Sequence, residues 1–172
     1  MPLFRQNRLV DDYWRFPEDD SPLPATGKIA LPKARYLAER GTLSRRDDAV
    51  GVVLTAGDTL EDIVVELPRL ALVVIRFPKH SDGRPYSLAR LLRDRHGFAG
   101  EIRATGDVLR DQIVLMLRAG FDAFDVTHPG TIEALRDQRI IAVRHHYQPA
   151  SAETSETRPD ARPWRRVSTA LS

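Results

Sequence analysis

The sequence predicts an α/β fold: a single domain of repeated βα units around a mainly parallel sheet, with an N-terminal arm and a disordered C-terminal tail. Three observations carry the prediction. Short apolar runs alternate with helix-period segments from Lys28 to Val143. Connections between them are short and punctuated by Gly and Pro. In the segment Leu70–Phe77, the consecutive Val73, Val74 and Ile75 suggest a strand buried on both faces. Such alternation is what right-handed βαβ crossovers produce. Five to six strands suit an open doubly wound sheet or a half-barrel-like arrangement, and are too few for a closed eight-fold barrel.

Residues 1–24 form the arm. Leu9-Val10, Asp11-Asp12 and Tyr13-Trp14-Arg15-Phe16 predict a small hairpin or extended segment, with Tyr13 or Trp14 as its anchor on the body. Pro17, Pro22 and Pro24 make the linker. The domain proper spans residues 25–147. Lys28–Leu31 is a strand, and Pro32–Arg40 a helix with Pro in its first turn and Gly41 as its stop. Ala49–Thr55 is the next strand, and Gly57-Asp58 caps a helix that Pro68 ends near Leu67. After the strand Leu70–Phe77, Pro85–His96 is a helix whose Leu88, Leu91 and Leu92 share a face, closed by Gly97.

Glu101–Thr105 is a strand and Gly106-Asp107 the N-cap of a helix over Val108–Ala119, with Leu109, Ile113, Met116 and Leu117 buried. Phe121–Val126, Gly130–Gln138 and Ile140–Val143 read as strand, helix and strand. Residues 148–172 lack a hydrophobic period and predict a disordered tail.

Composition bounds the function classes. The 172 residues are 42% hydrophobic and 29% charged, with a net charge of only +2, so no global field selects nucleic acid as a partner. With no cysteine the chain cannot make disulfides, thiol nucleophiles or Cys-ligated zinc or iron–sulfur centres. Its longest apolar run, Leu70 to Ile75, is far below the roughly 20 residues of a membrane span. A soluble, cytoplasmic protein, not bound to membrane or nucleic acid, is expected.

No P-loop, GxGxxG, His-Glu-x-x-His or nucleophile elbow is present, and no cofactor motif is evident. The adjacent His145-His146 would point to opposite faces of a strand, and no metal site is expected there. Chemistry should gather at the carboxyl ends of the strands. Arg76, Lys79, Asp82 and Arg84 fall at or just after the end of Leu70–Phe77, Arg103, Thr105 and Asp107 at the end of the following strand, and Asp125 at that of a third. Alternation sets Glu101, Arg103 and Thr105 on one face of their strand and Ile102 and Ala104 on the other. A charge inside such a strand is costly unless paired. Two readings stay open. One is an internal Arg–carboxylate network with Glu101, Asp107 or Asp111. The other is an anion site in which Arg76, Arg84 and Arg103 present forked donors, with Lys79, Asp82 and Asp107 beside them. In the tail, Trp164 with Arg165 and Arg166 resembles an anchor for a protein partner.

Phe77-Pro78-Lys79, Asp82-Gly83-Arg84 and Tyr86 through Arg93, followed by Gly100–Ala104, Gly106–Gln112 and Gly120–Phe124, resemble the core of an uncharacterised bacterial family, domain of unknown function 934, over about Ile29 to Val143. Pro85 and His80 depart from its pattern, where glycine and an aromatic are expected. Such proteins are generally encoded beside the haemoprotein of assimilatory sulfite reductase and carry an oxidoreductase label. The resemblance therefore implies a role in sulfite reduction, with the sulfite reductase haemoprotein as the expected partner. It supplies no catalytic residues. Whether the protein is an accessory factor or an enzyme with an oxyanion or phosphate site stays open.

Overall fold

Five parallel strands lie side by side in the order of the chain. The computed structural model describes residues 3–6 and 8–137. Within them β3 (Ile29–Pro32), β4 (Val50–Leu54), β5 (Leu70–Phe77), β6 (Glu101–Gly106) and β7 (Ala123–Asp125) are neighbours in that sequence. β1 (Leu3–Arg5) and β2 (Arg8–Val10) form a hairpin, and β1 pairs antiparallel with β7. The sheet therefore has seven strands in the order β2-β1-β7-β6-β5-β4-β3.

A strand order that never reverses puts every crossover on one face. Of the two expected arrangements this is the half-barrel-like one, not the doubly wound one. Leu31, Val52, Val73, Ile75, Ile102 and Phe124 pack into one core with α1 (Lys33–Leu43), α2 (Arg84–Arg90), α3 (Ile113–Arg118) and α4 (Pro129–Arg136). The second face carries the alternate residues, and there Ala30, Leu72 and Val74 are covered by Trp14 and Val53. Gly51 makes the cover tight: a Cβ there would lie 2.9 Å from the Leu72 Cβ and 3.2 Å from that of Ala30. Of the two expected anchors, Trp14 packs on the sheet, while Tyr13 is exposed.

Several elements differ from their prediction for identifiable reasons. α1 runs through Gly41 to Leu43, because the burial of Leu43 favours one more turn. Asp58 does not cap a helix. Its carboxylate turns back to accept from the Thr55 N–H (2.6 Å) and hydroxyl (2.9 Å). Turns follow, and then a 3-10 segment at Val64–Arg69, where β-branched residues and Pro68 disfavour an α-helix.

α2 widens into a π-helical turn at Leu91–Arg95, marked by a bond from the His96 N–H to the Leu91 carbonyl. Leu88 and Leu92 stay buried, but Leu91 is carried out to the surface. α3 starts at Ile113 after a 3-10 turn at Arg110–Gln112, and Leu117 is exposed. No helix among the described residues is long and apolar enough to cross a membrane. The expected strand Ile140–Val143, the His145-His146 pair and the tail lie outside the described residues.

Candidate functional site

The second face of the sheet turns from apolar to charged between β5 and β6. Register places Val74 beside Arg103 and Arg76 beside Thr105. Arg103 is only 1% exposed. Its Nε and Nη2 donate to Glu101 Oε1 (3.0 and 2.9 Å), and its Nη1 donates to Asp12 Oδ2 (2.7 Å). Glu101 also accepts from Arg5 Nη1 at 3.0 Å, so two arginines and two carboxylates join β6, β1 and the arm. Such a chain of charge-assisted bonds offsets the desolvation of the guanidinium. This is the internal network that alternation allowed. Of the partners offered from sequence, Glu101, Asp107 or Asp111, Arg103 takes Glu101, while Asp107 bonds His80; Asp12, in the arm 91 residues away, gave no local signal.

The loops after β5 and β6 hold two further pairs. Arg84 reaches Asp82 through Nε (3.0 Å) and Nη2 (2.7 Å), and its N–H also donates to that carboxylate at 3.0 Å. These bonds hold the Asp82 carboxyl below its ordinary range, the Arg84 side chain being the larger cause. Asp107 accepts from the His80 N–H at 2.8 Å and lies 2.9 Å from His80 Nδ1. The backbone bond first, and the imidazole second, lower its carboxyl pKa. Asp107 thus ties one loop to the other rather than capping a helix.

Gly106 lets the loops approach. Its φ is +91°, and an added Cβ would fall 2.3 Å from the Phe77 carbonyl oxygen, so a side chain meets both a disfavoured backbone and a backbone clash. The neighbouring Asp107 N–H donates to that same carbonyl at 3.1 Å.

Of the three arginines proposed as forked donors, Arg103 is enclosed by carboxylates and Arg84 is held by Asp82. Arg76 is exposed and has no hydrogen-bonding or ionic partner among the described residues, and the same holds for Lys79. The structure brings Arg76 next to Thr105, whose hydroxyl donates to Asp125 Oδ2 at 3.0 Å. Arg76, Thr105 and Asp125 therefore form one polar row across the carboxyl ends of β5, β6 and β7. Trp164, Arg165 and Arg166 lie outside the described residues.

No curated protein matches the chain. A family model described as "bacterial protein of unknown function (DUF934)" matches residues 51–157. The match begins at β4 and takes in the paired loops, β6 and α3, so the stretch that carries the resemblance is also the one that builds the strand-end row. Over well more than half its length, from the second parallel strand onward, the chain belongs to the DUF934 family.

Proposed function

We propose that this protein works by binding, as an accessory protein of assimilatory sulfite reduction that docks on the sulfite reductase haemoprotein. The observation that supports binding over proton-transfer catalysis is the pairing at the strand ends. Asp82 is engaged by Arg84, Asp107 by His80, and Glu101 and Asp12 by Arg103. A general acid or base must reach a substrate proton, and these carboxylates are turned to protein donors instead. The helix layer, in contrast, exposes Leu91, Leu115 (57%) and Leu117 (45%), apolar side chains of the kind a protein interface covers. Trp164, Arg165 and Arg166 are proposed as a second docking element.

The test is co-elution with the haemoprotein, using the full chain, a form ending at Tyr147 and the Leu115→Glu variant. Binding by the full chain, weakened by truncation and by Leu115→Glu, is the expected result. If the full chain does not bind, the accessory role is lost.

A second reading has its own observation: Arg76 stands without a partner among the described residues, beside the Thr105–Asp125 pair. That row would accept an oxyanion or phosphate-bearing ligand. Melting temperature in millimolar sulfite, sulfate, phosphate or nucleotide should then rise by mass action, and Arg76→Ala should abolish the rise.

A further inference from the structure

The sheet has two edges, and among the described residues only one of them is covered. At β3 the arm covers it: the Arg15 N–H donates to Lys28 O and Arg15 O accepts from the Ala30 N–H, both at 2.9 Å. At the other side β2 is the outermost strand. Gln6, at φ +49°, marks the turn between Arg5 and Arg8 as one of the primed two-residue kind. Such a turn makes Arg5 and Arg8 a hydrogen-bonded pair, so by alternation Phe4 and Leu9 are not one. Leu9 therefore directs its N–H and its carbonyl outward, and neither has a backbone partner among the described residues. Its side chain packs against the main core, yet Leu9 and Val10 are only half-buried.

The chain itself is brought to this edge. α4 follows β7 but packs against β2, two strands further out, because β1 already occupies the edge of β7. A crossover helix returns its chain to the end of the sheet where the parallel strands begin. β2 starts at that end too, since it is antiparallel to β1 and β1 is antiparallel to β7. Beyond α4 the sequence reads Asp137-Gln138-Arg139-Ile140-Ile141-Ala142-Val143-Arg144, an apolar run between two arginines and rich in β-branched residues. From Arg136 to Ile140 an extended chain spans at most roughly 14 Å, about three strand spacings. That reaches past β2 but not across the sheet to β3.

We propose that residues 139–144 of the same chain fill the open edge of β2, as an eighth strand parallel to it. β3 to β7 step across the sheet in one direction, and a strand beyond β2 continues that direction, so the crossover through α4 keeps the hand of the others. The segment supplies the acceptor and donor that Leu9 lacks and covers the exposed parts of Leu9 and Val10. The match to the family, which runs to residue 157, includes it. Parallel pairing also sends the chain after residue 144 out at the carboxyl ends of the strands, beside the row of Arg76, Thr105 and Asp125. The docking element at Trp164 is then tethered at that end.

The chain has no cysteine, so engineered pairs report the pairing cleanly. Arg8→Cys is combined, in the full chain, with Ile140→Cys, Ile141→Cys, Ala142→Cys or Val143→Cys, and disulfide formation is followed on non-reducing gels. Side chains of a strand alternate between faces. Intramolecular cross-links are therefore expected from one alternate pair, 140 and 142 or 141 and 143, about tenfold or more faster than from the other. Equal rates at all four positions overturn the proposal, and so do cross-links that join two chains, which would identify a second copy on the edge. Amide exchange in the ¹⁵N-labelled full chain is the second measurement. Leu9 should be protected, and should exchange about tenfold or more faster in Ile141→Asp while Val74 in β5 keeps its rate. A Leu9 amide that exchanges equally fast in both proteins means an open edge and sinks the proposal. The cross-links do not depend on that variant folding.

Discussion

Arg103 sits inside a sheet because four charges were placed around one another, not because a charge is welcome there. Removing the guanidinium leaves Glu101 and Asp12 facing each other, largely out of water. Arg103→Ala should therefore destabilise the fold by about 3 kcal/mol or more, measured by denaturant unfolding. Arg103→Met combined with Glu101→Gln and Asp12→Asn should recover most of that loss, since it removes the stranded charges. A triple variant as unstable as the single one would refute the account.

Asp107 offers a pH-dependent counterpart. Its folded pKa is lowered, so its bonds to His80 contribute stability above the ordinary carboxyl pKa, and the contribution is lost as pH falls through the depressed value. The carboxyl ¹³C signal of Asp107 should titrate below the usual aspartate range. His80→Ala should move it part of the way back, because the backbone bond from residue 80 remains. At this scale the sequence marked Arg103 as needing a partner and offered Glu101, Asp107 or Asp111, of which Glu101 is the one it meets. Asp12 was not legible, because a contact made with the distant arm leaves no periodic trace.

Elements were most legible where pattern and burial coincide. Leu70–Phe77 has the bounds read from its sequence, where the apolar run Leu70 to Ile75 dominates, and β4 and β6 fall within a residue of theirs. Helix limits were harder, because local preference yields to packing: Gly41 does not stop α1 when Leu43 can be buried. The π turn at Leu91–Arg95 shows the same competition. It places Arg93, whose Nε donates to Gly120 O at 3.0 Å and whose Nη1 donates to Gly100 O at 2.9 Å. The same guanidinium bonds Phe98 O and Asp122, so one side chain fastens α2 to the starts of β6 and β7.

Arg93→Ala should cost about 3 kcal/mol. Arg93→Lys should recover little, because an ammonium lacks the planar fork. Recovery of more than half the loss by lysine, in the same unfolding experiment, would show that charge alone suffices.

At the scale of the molecule, the mainly parallel sheet was implied by the short βα connections, but the choice between the doubly wound and the half-barrel-like order, and the closing of the sheet by its own N-terminal hairpin, were not. Leu3 and Phe4 are buried, and the Phe4 ring lies 6.3 Å from that of Phe124. Deleting residues 1–10 should remove roughly 1.5–3 kcal/mol for each of these side chains and bare the edge of β7. Exposed strand edges recruit other chains. The truncated protein should thus unfold at lower denaturant and associate with rising concentration on size exclusion. A monomer of unchanged stability would rule out this role for the hairpin.

The pairing of β1 with β7 also sets an order of events in time. The hairpin leaves the ribosome before the parallel strands, yet its partner strand is among the last of the described elements to be made, and the Arg5–Glu101 contact spans 96 residues. The four parallel strands β3 to β6 can assemble as each βα unit appears, since their contacts are close in sequence. The hairpin must wait, and closing so long a loop is slow compared with joining adjacent units. The growing chain therefore passes through a stage in which Leu3 and Phe4 are made but have nowhere to go, and the domain is finished only when its beginning returns to its end.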